Sequence, residues 1–133
     1  IRQGIRLCAA KIFNQCQQPT PDYLEQIFNH NLKSDENGNT SVALINKKLG
    51  LGVAINFNKN QLFNFTQWKQ MGEGEYVMGM EPCNCYVGGR TDRRNSEILD
   101  YIEPGEIRNF DLTIELLNGM EEIDNLVSKI KNL

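Results

Sequence analysis

Histidine, tryptophan and suitably spaced cysteines are scarce in this sequence of 133 residues, and their scarcity excludes several kinds of site. The four cysteines, at positions 8, 16, 83 and 85, are spaced C-x7-C and C-x-C, which does not fit paired zinc ligands. Because only one histidine could add to them, we expect no metal site and no cofactor. Disulfide geometry disfavours a bond between Cys83 and Cys85. Free thiols are typical of a reducing compartment, so a cytoplasmic location is expected.

Long apolar runs and a strong charge of either sign are also absent. No stretch approaches the roughly 20 apolar residues of a membrane span, and no signal peptide is visible. A net charge of −3 offers no electrostatic basis for binding nucleic acid or an anionic membrane, so neither is expected as a partner. The length fits a single domain over residues 1–133, or part of one. Because the sequence begins with Ile1 rather than Met, we expect a fragment of a longer protein.

Alternation of apolar and polar residues is the main periodicity that is present. It predicts six short strands, joined by turn-rich loops, over residues 25–32, 40–46, 51–57, 63–69, 75–81 and 106–117. Without any alternation of strands and helices, this pattern indicates an all-β fold, an antiparallel β-sandwich. On the last strand, the residues expected to point into the core are Phe110, Leu112, Ile114 and Leu116.

Helical periodicity is confined to the two ends of the chain. Residues 121–131 predict a short C-terminal helix, with acidic residues early and lysines late, as the helix dipole favours. Its apolar residues are spaced at i, i+3, i+4 and i+7: Ile123, Leu126, Val127 and Ile130. Residues 7–16 are compatible with about two helical turns, which Pro19 would end. Residues 87–96 are polar and rich in glycine and arginine, which indicates a loop that could border a site.

The clearest functional pattern lies in residues 66–90, TQWKQMGEGEYVMGMEPCNCYVGGR. A strand over 75–81 places Glu81 on the same face as Gly79, while the methionines of the strand point to the opposite, core-facing side. The glycine removes side-chain bulk, so a ligand can approach the backbone there. A carboxylate in this position fits a general base or an anchor for a polar ligand. The alternative is a surface residue at a strand end.

Three motifs of this chain resemble a known family: QWK at 67–69, GEGEYVMGMEPCN at 72–84 and LDYIEPGE at 99–106. Together they are similar to the C-terminal part of aldose 1-epimerase-like proteins, and most closely to the DUF4432 branch of the galactose mutarotase superfamily. The resemblance covers about residues 19–117 and is sharpest over 67–84. It implies a large antiparallel β-sandwich, of which this chain would be the C-terminal portion.

The resemblance also implies a reaction, the interconversion of sugar anomers, which needs one group to remove a proton and one to supply it. In aldose 1-epimerases the base is a glutamate at a strand end near the C terminus, and Glu81 matches it by motif. The acid is a histidine further upstream, in a region that this sequence does not contain. His30 is the only histidine left as a candidate. It could face the site, or it could be a strand residue packed beside Phe28.

Sugar binding has its own candidates around the same stretch. An indole ring can stack on a sugar, although a lone tryptophan can equally be a core residue. Lysine and asparagine side chains can hydrogen-bond to hydroxyl groups, and Arg90, with Arg93 and Arg94, could hold a phosphate or carboxylate or simply face solvent. Because strand side chains alternate, Lys69 is expected on the opposite face from Trp68. The candidate substrate-binding residues are Trp68, Lys69, Asn84 and Arg90.

These observations favour a small-molecule sugar as the partner and an aldose 1-epimerase-like protein as the function. Two alternatives remain open, a non-catalytic carbohydrate-binding module and a structural or oligomerising β domain. A partial sandwich leaves sheet edges and apolar surface uncovered, and such surfaces pair with other chains. We therefore expect a homo-oligomer.

Overall fold

The computed structural model describes residues 6–7, 12–88, 90–95 and 99–133. These residues form two β-sheets and two helices. All strand pairs are antiparallel except the short pair of β1 with β2. The prediction of an antiparallel β fold with a short C-terminal helix is confirmed. In chain order the elements are β1 (Arg6–Leu7), β2 (Gln26–His30), β3 (Asn39–Asn46), β4 (Leu51–Asn58), β5 (Asn64–Gly72), β6 (Glu75–Cys83), α1 (Arg90–Asn95), β7 (Leu112–Asn118) and α2 (Met120–Lys131).

A four-stranded sheet has the order β1-β2-β5-β6. Its two longest strands form the β5–β6 hairpin, nine residues in each strand, which turns at Gly74 with φ of 79°. A positive φ favours glycine, so the GEG sequence suits this turn. Strand β2 pairs with the other edge of β5, so the register of three strands determines which side chains share each face of this sheet.

A three-stranded sheet has the order β3-β4-β7 and is covered on one face by α2. The helix buries Ile123 and Leu126 against Ala54 of β4 and Leu117 of β7. Full burial of one such aliphatic side chain stabilises a fold by about 1.5–3 kcal/mol. The apolar face that the sequence predicts for this helix is therefore the face that packs against the sheet.

The second face of β4 packs toward the four-stranded sheet. Ile55 and Phe57 form a buried cluster with Leu62 and with Phe65 of β5. The rings of Phe57 and Phe65 are stacked, with centroids 6.3 Å apart. This cluster joins the two sheets and fixes the position of β5, the strand from which the candidate site is built.

Strand β7 differs from its predicted orientation. It begins at Leu112 rather than at residue 106, and Leu117 is its buried residue. The four residues that were expected in the core are all exposed: Phe110, Leu112, Ile114 and Leu116. The reason is the position of β7 at the edge of its sheet, where α2 covers one face and no described residue covers the other. The alternation of apolar and polar residues in the sequence shows that β7 has two different faces. It does not show which face is covered by another part of the fold.

Two local predictions also change. The loop predicted over 87–96 contains the helix α1, and residues 12–15 form turns and bends rather than a helix. Most of the rest of the 7–16 segment lies outside the described residues. Neither α1 nor α2, the helices of the described part of the chain, has the length and hydrophobicity needed to cross a bilayer.

Candidate functional site

A row of polar side chains crosses one face of the four-stranded sheet. Asn29 of β2 lies opposite Thr66 of β5, and Thr66 lies opposite Glu81 of β6. Residues paired in this way point to the same face of a sheet, on strands about 4.8 Å apart. We call this side of the sheet, with Asn29, Thr66, Trp68, Gly79 and Glu81, the Glu81 face. It carries an amide, a hydroxyl and a carboxylate in one line.

The adjacent row of the Glu81 face places an aromatic ring beside the polar row. Trp68 lies opposite Gly79 and is half-buried. Its Nε1 donates a hydrogen bond to Oε2 of Glu25 at 2.8 Å, which fixes the orientation of the indole ring. The structure therefore brings two of the predicted site residues, Trp68 and Glu81, to the same face.

Glu81 is exposed, and its side chain bends back over Gly79. Its Oε1 occupies the space that a Cβ atom on Gly79 would take. No hydrogen bond or ion pair joins this carboxylate to another of the described residues. The space predicted beside Gly79 is thus filled by the carboxylate itself, which is free to accept a proton or a hydrogen bond from a ligand.

Beneath the polar row lies a hydrogen-bonded network that the sequence analysis missed. Thr66 is buried, and its Oγ1 donates to Oδ1 of Asn29 at 3.0 Å. Nδ2 of the buried Asn64 contacts the same Oδ1 at 3.3 Å and the carbonyl oxygen of Cys85 at 2.9 Å. The signal that could have found Asn29 is the register between β2 and β5, which the strand patterns alone do not contain.

His30 lies on the opposite face of the same sheet, because it pairs with Phe65 rather than with Thr66. Its Nε2 is 3.2 Å from Oε1 of Gln67, and its ring packs against Phe13 and Phe65 with centroids 5.2 and 5.6 Å away. The geometry matches the packed-histidine alternative. The two predicted catalytic residues, His30 and Glu81, are separated by the sheet and do not form one site.

Lys69 also lies opposite to Trp68, as alternation predicts, and is fully buried. Its Nζ donates to the carbonyl oxygens of Ile12 at 2.8 Å and Gln15 at 2.6 Å, and to Oε1 of Gln17 at 2.7 Å. Burial lowers the pKa of Lys69, and the nearby Cys16 partly offsets this. An ammonium has three N–H donors, and all three are used within the protein. The position of Lys69 is therefore that of a structural residue.

Asn84 and the arginines lie beyond the end of β6. Asn84 donates through Nδ2 to Oδ2 of Asp100 at 3.1 Å, and Arg108 donates to the same oxygen at 2.6 Å. Arg108 also binds Glu106, so it holds the pKa values of the carboxyl groups of Asp100 and Glu106 below their usual range. Asn84 is thus part of a surface network of charged groups.

The predicted arginine cluster is divided in the structure. Arg90 is the first residue of α1, and its side chain lies outside the described part of the chain. Arg93 is buried, with its guanidinium 5.6 Å from the centroid of the Tyr86 ring, whereas Arg94 is exposed. The binding roles proposed for Asn84 and Arg90 stay predictions.

Comparison with known proteins identifies the family. Residues 7–116 match the family described as "Domain of unknown function (DUF4432)". The chain is also similar to a crystal structure described as "a putative aldose 1-epimerase" from Klebsiella pneumoniae subsp. pneumoniae MGH 78578. The sequence identity is 34% and the TM-score 0.81, over 87% of this chain and 31% of that one.

This chain therefore spans about a third of the length of that solved relative. Comparison with curated protein sequences gives no match. The family match covers most of the chain, and the solved relative shares its fold at an identity well above the level of fold similarity alone. The chain belongs to the DUF4432 family, in the galactose mutarotase-like superfamily.

Proposed function

We propose that this chain forms part of the sugar site of an aldose 1-epimerase-like protein, with Glu81 as the general base. The observation that carries the proposal is the free carboxylate of Glu81, which shares a face with the oriented ring of Trp68. The family membership and the description of the solved relative support the choice of reaction. The homology covers about a third of that relative, so the activity belongs to the proposal.

The proposed reaction moves two protons and breaks one bond. Glu81 removes the proton of the anomeric hydroxyl while an acid protonates the ring oxygen, and the bond between C1 and the ring oxygen breaks. Rotation about the C1–C2 bond turns the other face of the aldehyde toward the hydroxyl. Closure of the ring returns both protons and yields the other anomer. His30 faces the other side of the sheet, so we assign the acid to a group outside the described residues.

The charges on the Glu81 face favour an uncharged sugar. Glu25 and Glu81 both place carboxylates there. The one lysine or arginine in β2, β5 and β6 is Lys69, which is buried on the other face. A phosphate or carboxylate on the sugar would meet like charges without a partner, which selects against such substrates.

Replacing Glu81 by glutamine tests the base. Glu81→Gln keeps the size of the side chain and removes its basic oxygen, so anomer exchange measured by NMR should fall by about 100-fold or more. Sugar affinity, measured through the fluorescence of Trp68, and thermal stability should change little. Glu75→Gln is the control, since Glu75 is exposed on the same strand and about 20 Å along it. Full exchange activity in Glu81→Gln would refute the assignment.

A carbohydrate-binding module without catalysis is the second candidate, and one observation favours it. The only histidine of the chain is on the other face, so Glu81 shares its face with no histidine that could act as the acid. In a binding module Glu81→Gln would lower sugar affinity, and the wild-type protein would not accelerate anomer exchange. If no sugar changes the fluorescence of Trp68, both candidates fail and a structural role remains.

A further inference from the structure

Asn29 has no part in the function proposed above, yet it lies in the same row as Glu81. It is exposed, the fourth of the five residues of β2, with Thr66 between it and Glu81. Two strand spacings separate Asn29 from Glu81, about 10 Å between backbones. Thr66 is almost fully buried, so its side chain does not rise between them. A ligand on this face can reach Asn29 and Glu81 together.

The network beneath the row fixes the orientation of the Asn29 amide. Its Oδ1 accepts one hydrogen bond from Oγ1 of Thr66 and one from Nδ2 of Asn64. The amine of Asn64 can only donate, so a flipped Asn29 amide would set two amines against each other and lose this contact. The Nδ2 group therefore points away from the network. Neither of its two N–H donors bonds to another described residue.

The side chain of Asn64, which supports this orientation, is itself held in place by hydrogen bonds. Asn64 is buried, and its Nδ2 also contacts the carbonyl oxygen of Cys85 and Oγ1 of Thr66. Buried polar groups joined in one network hold their members in a single arrangement. An exposed amide is usually free to rotate, whereas this one is held with its donors outward. A pre-oriented donor loses little entropy when it binds a ligand.

We propose that Asn29 is a substrate-positioning residue, which donates from Nδ2 to a hydroxyl oxygen of the sugar that Glu81 deprotonates. The inference rests on the proposed function. Asn29 would hold the far side of the sugar while the Trp68 ring lies in the adjacent row and Glu81 contacts the anomeric hydroxyl. A hydrogen bond made in both the ground state and the transition state affects binding more than turnover.

Asn29→Asp tests this role with a minimal change. The aspartate keeps an oxygen in the place of Oδ1, where it can accept from Thr66 and Asn64, and replaces only the outward amine by a second oxygen. We expect the apparent affinity for an uncharged aldose, from Trp68 fluorescence or the KM of anomer exchange, to weaken about tenfold or more. The kcat and the melting temperature should stay near wild type. Asn29→Ala should weaken binding in the same direction without adding a charge.

The matched control is Asn46→Asp at the last residue of β3. Oδ1 of Asn46 also accepts two hydrogen bonds, from the backbone N–H groups of Lys48 and Leu49, and its amine is also outward. This variant should bind sugar as the wild type does. Wild-type affinity in both Asn29→Asp and Asn29→Ala would overturn the inference and leave the proposed function intact. Failure of the wild-type protein to bind any aldose would overturn both.

Discussion

At the scale of single residues, the position of the Glu81 carboxylate depends on the absence of a side chain at Gly79. The two residues are on the same face of β6, and Oε1 of Glu81 lies where a Cβ atom of residue 79 would be. The carboxylate can therefore lie close to the sheet and to Trp68, on the strand opposite. Gly79 therefore does not form a turn. It lets the side chain of Glu81 bend back over the strand.

Gly79→Ala should show whether activity depends on the position of the Glu81 carboxylate, because the substitution moves this group and leaves its chemistry unchanged. The new methyl group displaces the carboxylate, which is the flexible end of a side chain, so the fold should lose less than about 1 kcal/mol. A misplacement of about 1 Å can reduce catalysis 100-fold, so anomer exchange should fall by roughly 10- to 100-fold. Gly72→Ala in the same hairpin is the control, because its Cβ atom would meet Gln70 instead. Equal activity of Gly79→Ala and wild type would argue against this dependence.

At the scale of secondary-structure elements, pairing register explains which sequence predictions succeeded. Alternation within β5 separated Trp68 from Lys69, and alternation within β6 placed Glu81 with Gly79; both are confirmed. Whether His30 shares a face with Glu81 depends on how β2 pairs with β5, which are over thirty residues apart in sequence. A shift of one residue would exchange the faces of β2. For the same reason, the sequence left both alternatives for His30 open and gave no signal for Asn29.

The helix α2 and the strands β3 to β6 were predicted within one to three residues because their signals are local. The spacing of Ile123 and Leu126, for example, belongs to one helical face, whatever it packs against. The prediction of which face of β7 is buried was wrong, because burial depends on which layer covers the strand. Lys69 was predicted on the correct face but as a sugar ligand, since its three acceptors come from a segment more than fifty residues earlier.

The segment 12–17 should depend on Lys69 for its position. Lys69→Met keeps the length of the side chain but leaves three acceptors without their donor, each worth about 1–3 kcal/mol where it stays buried. We expect the free energy of unfolding in urea to fall by about 2–4 kcal/mol. Limited proteolysis should also cut within 12–17 sooner. Lys47→Met, at an exposed turn, is the control and should change stability by less than about 0.5 kcal/mol.

At the scale of the whole molecule, the main open feature is the uncovered face of β7. Leu112, Ile114 and Leu116 lie opposite Phe57, Ile55 and Val53 of β4, so the face that β4 buries continues across β7. The three side chains are 49%, 70% and 81% exposed. β7 is also an edge strand, with unpaired backbone groups along one side. Contiguous apolar surface of this kind is typical of an interface.

We expect a second copy of the chain to pair with the free edge of β7 and to bring its own apolar side chains beside these three, in agreement with the homo-oligomer predicted from the sequence. Antiparallel pairing of β7 with its copy about a two-fold axis at Ile114 would place Leu112 opposite Leu116 of the second copy and Ile114 opposite Ile114. The same apolar residues would then meet on both chains, as an isologous interface requires. The two three-stranded sheets would become one continuous sheet.

Light scattering coupled to size exclusion should therefore give the mass of a dimer for the chain. Ile114→Lys places two like charges at the proposed axis and should shift the mass to that of a monomer, with little change in the circular dichroism of the fold. Leu24→Lys is the matched control, since Leu24 is 50% exposed just before β2, a strand of the other sheet. A monomeric wild-type chain at high concentration would contradict the prediction. A dimer that persists in Ile114→Lys would place the interface elsewhere.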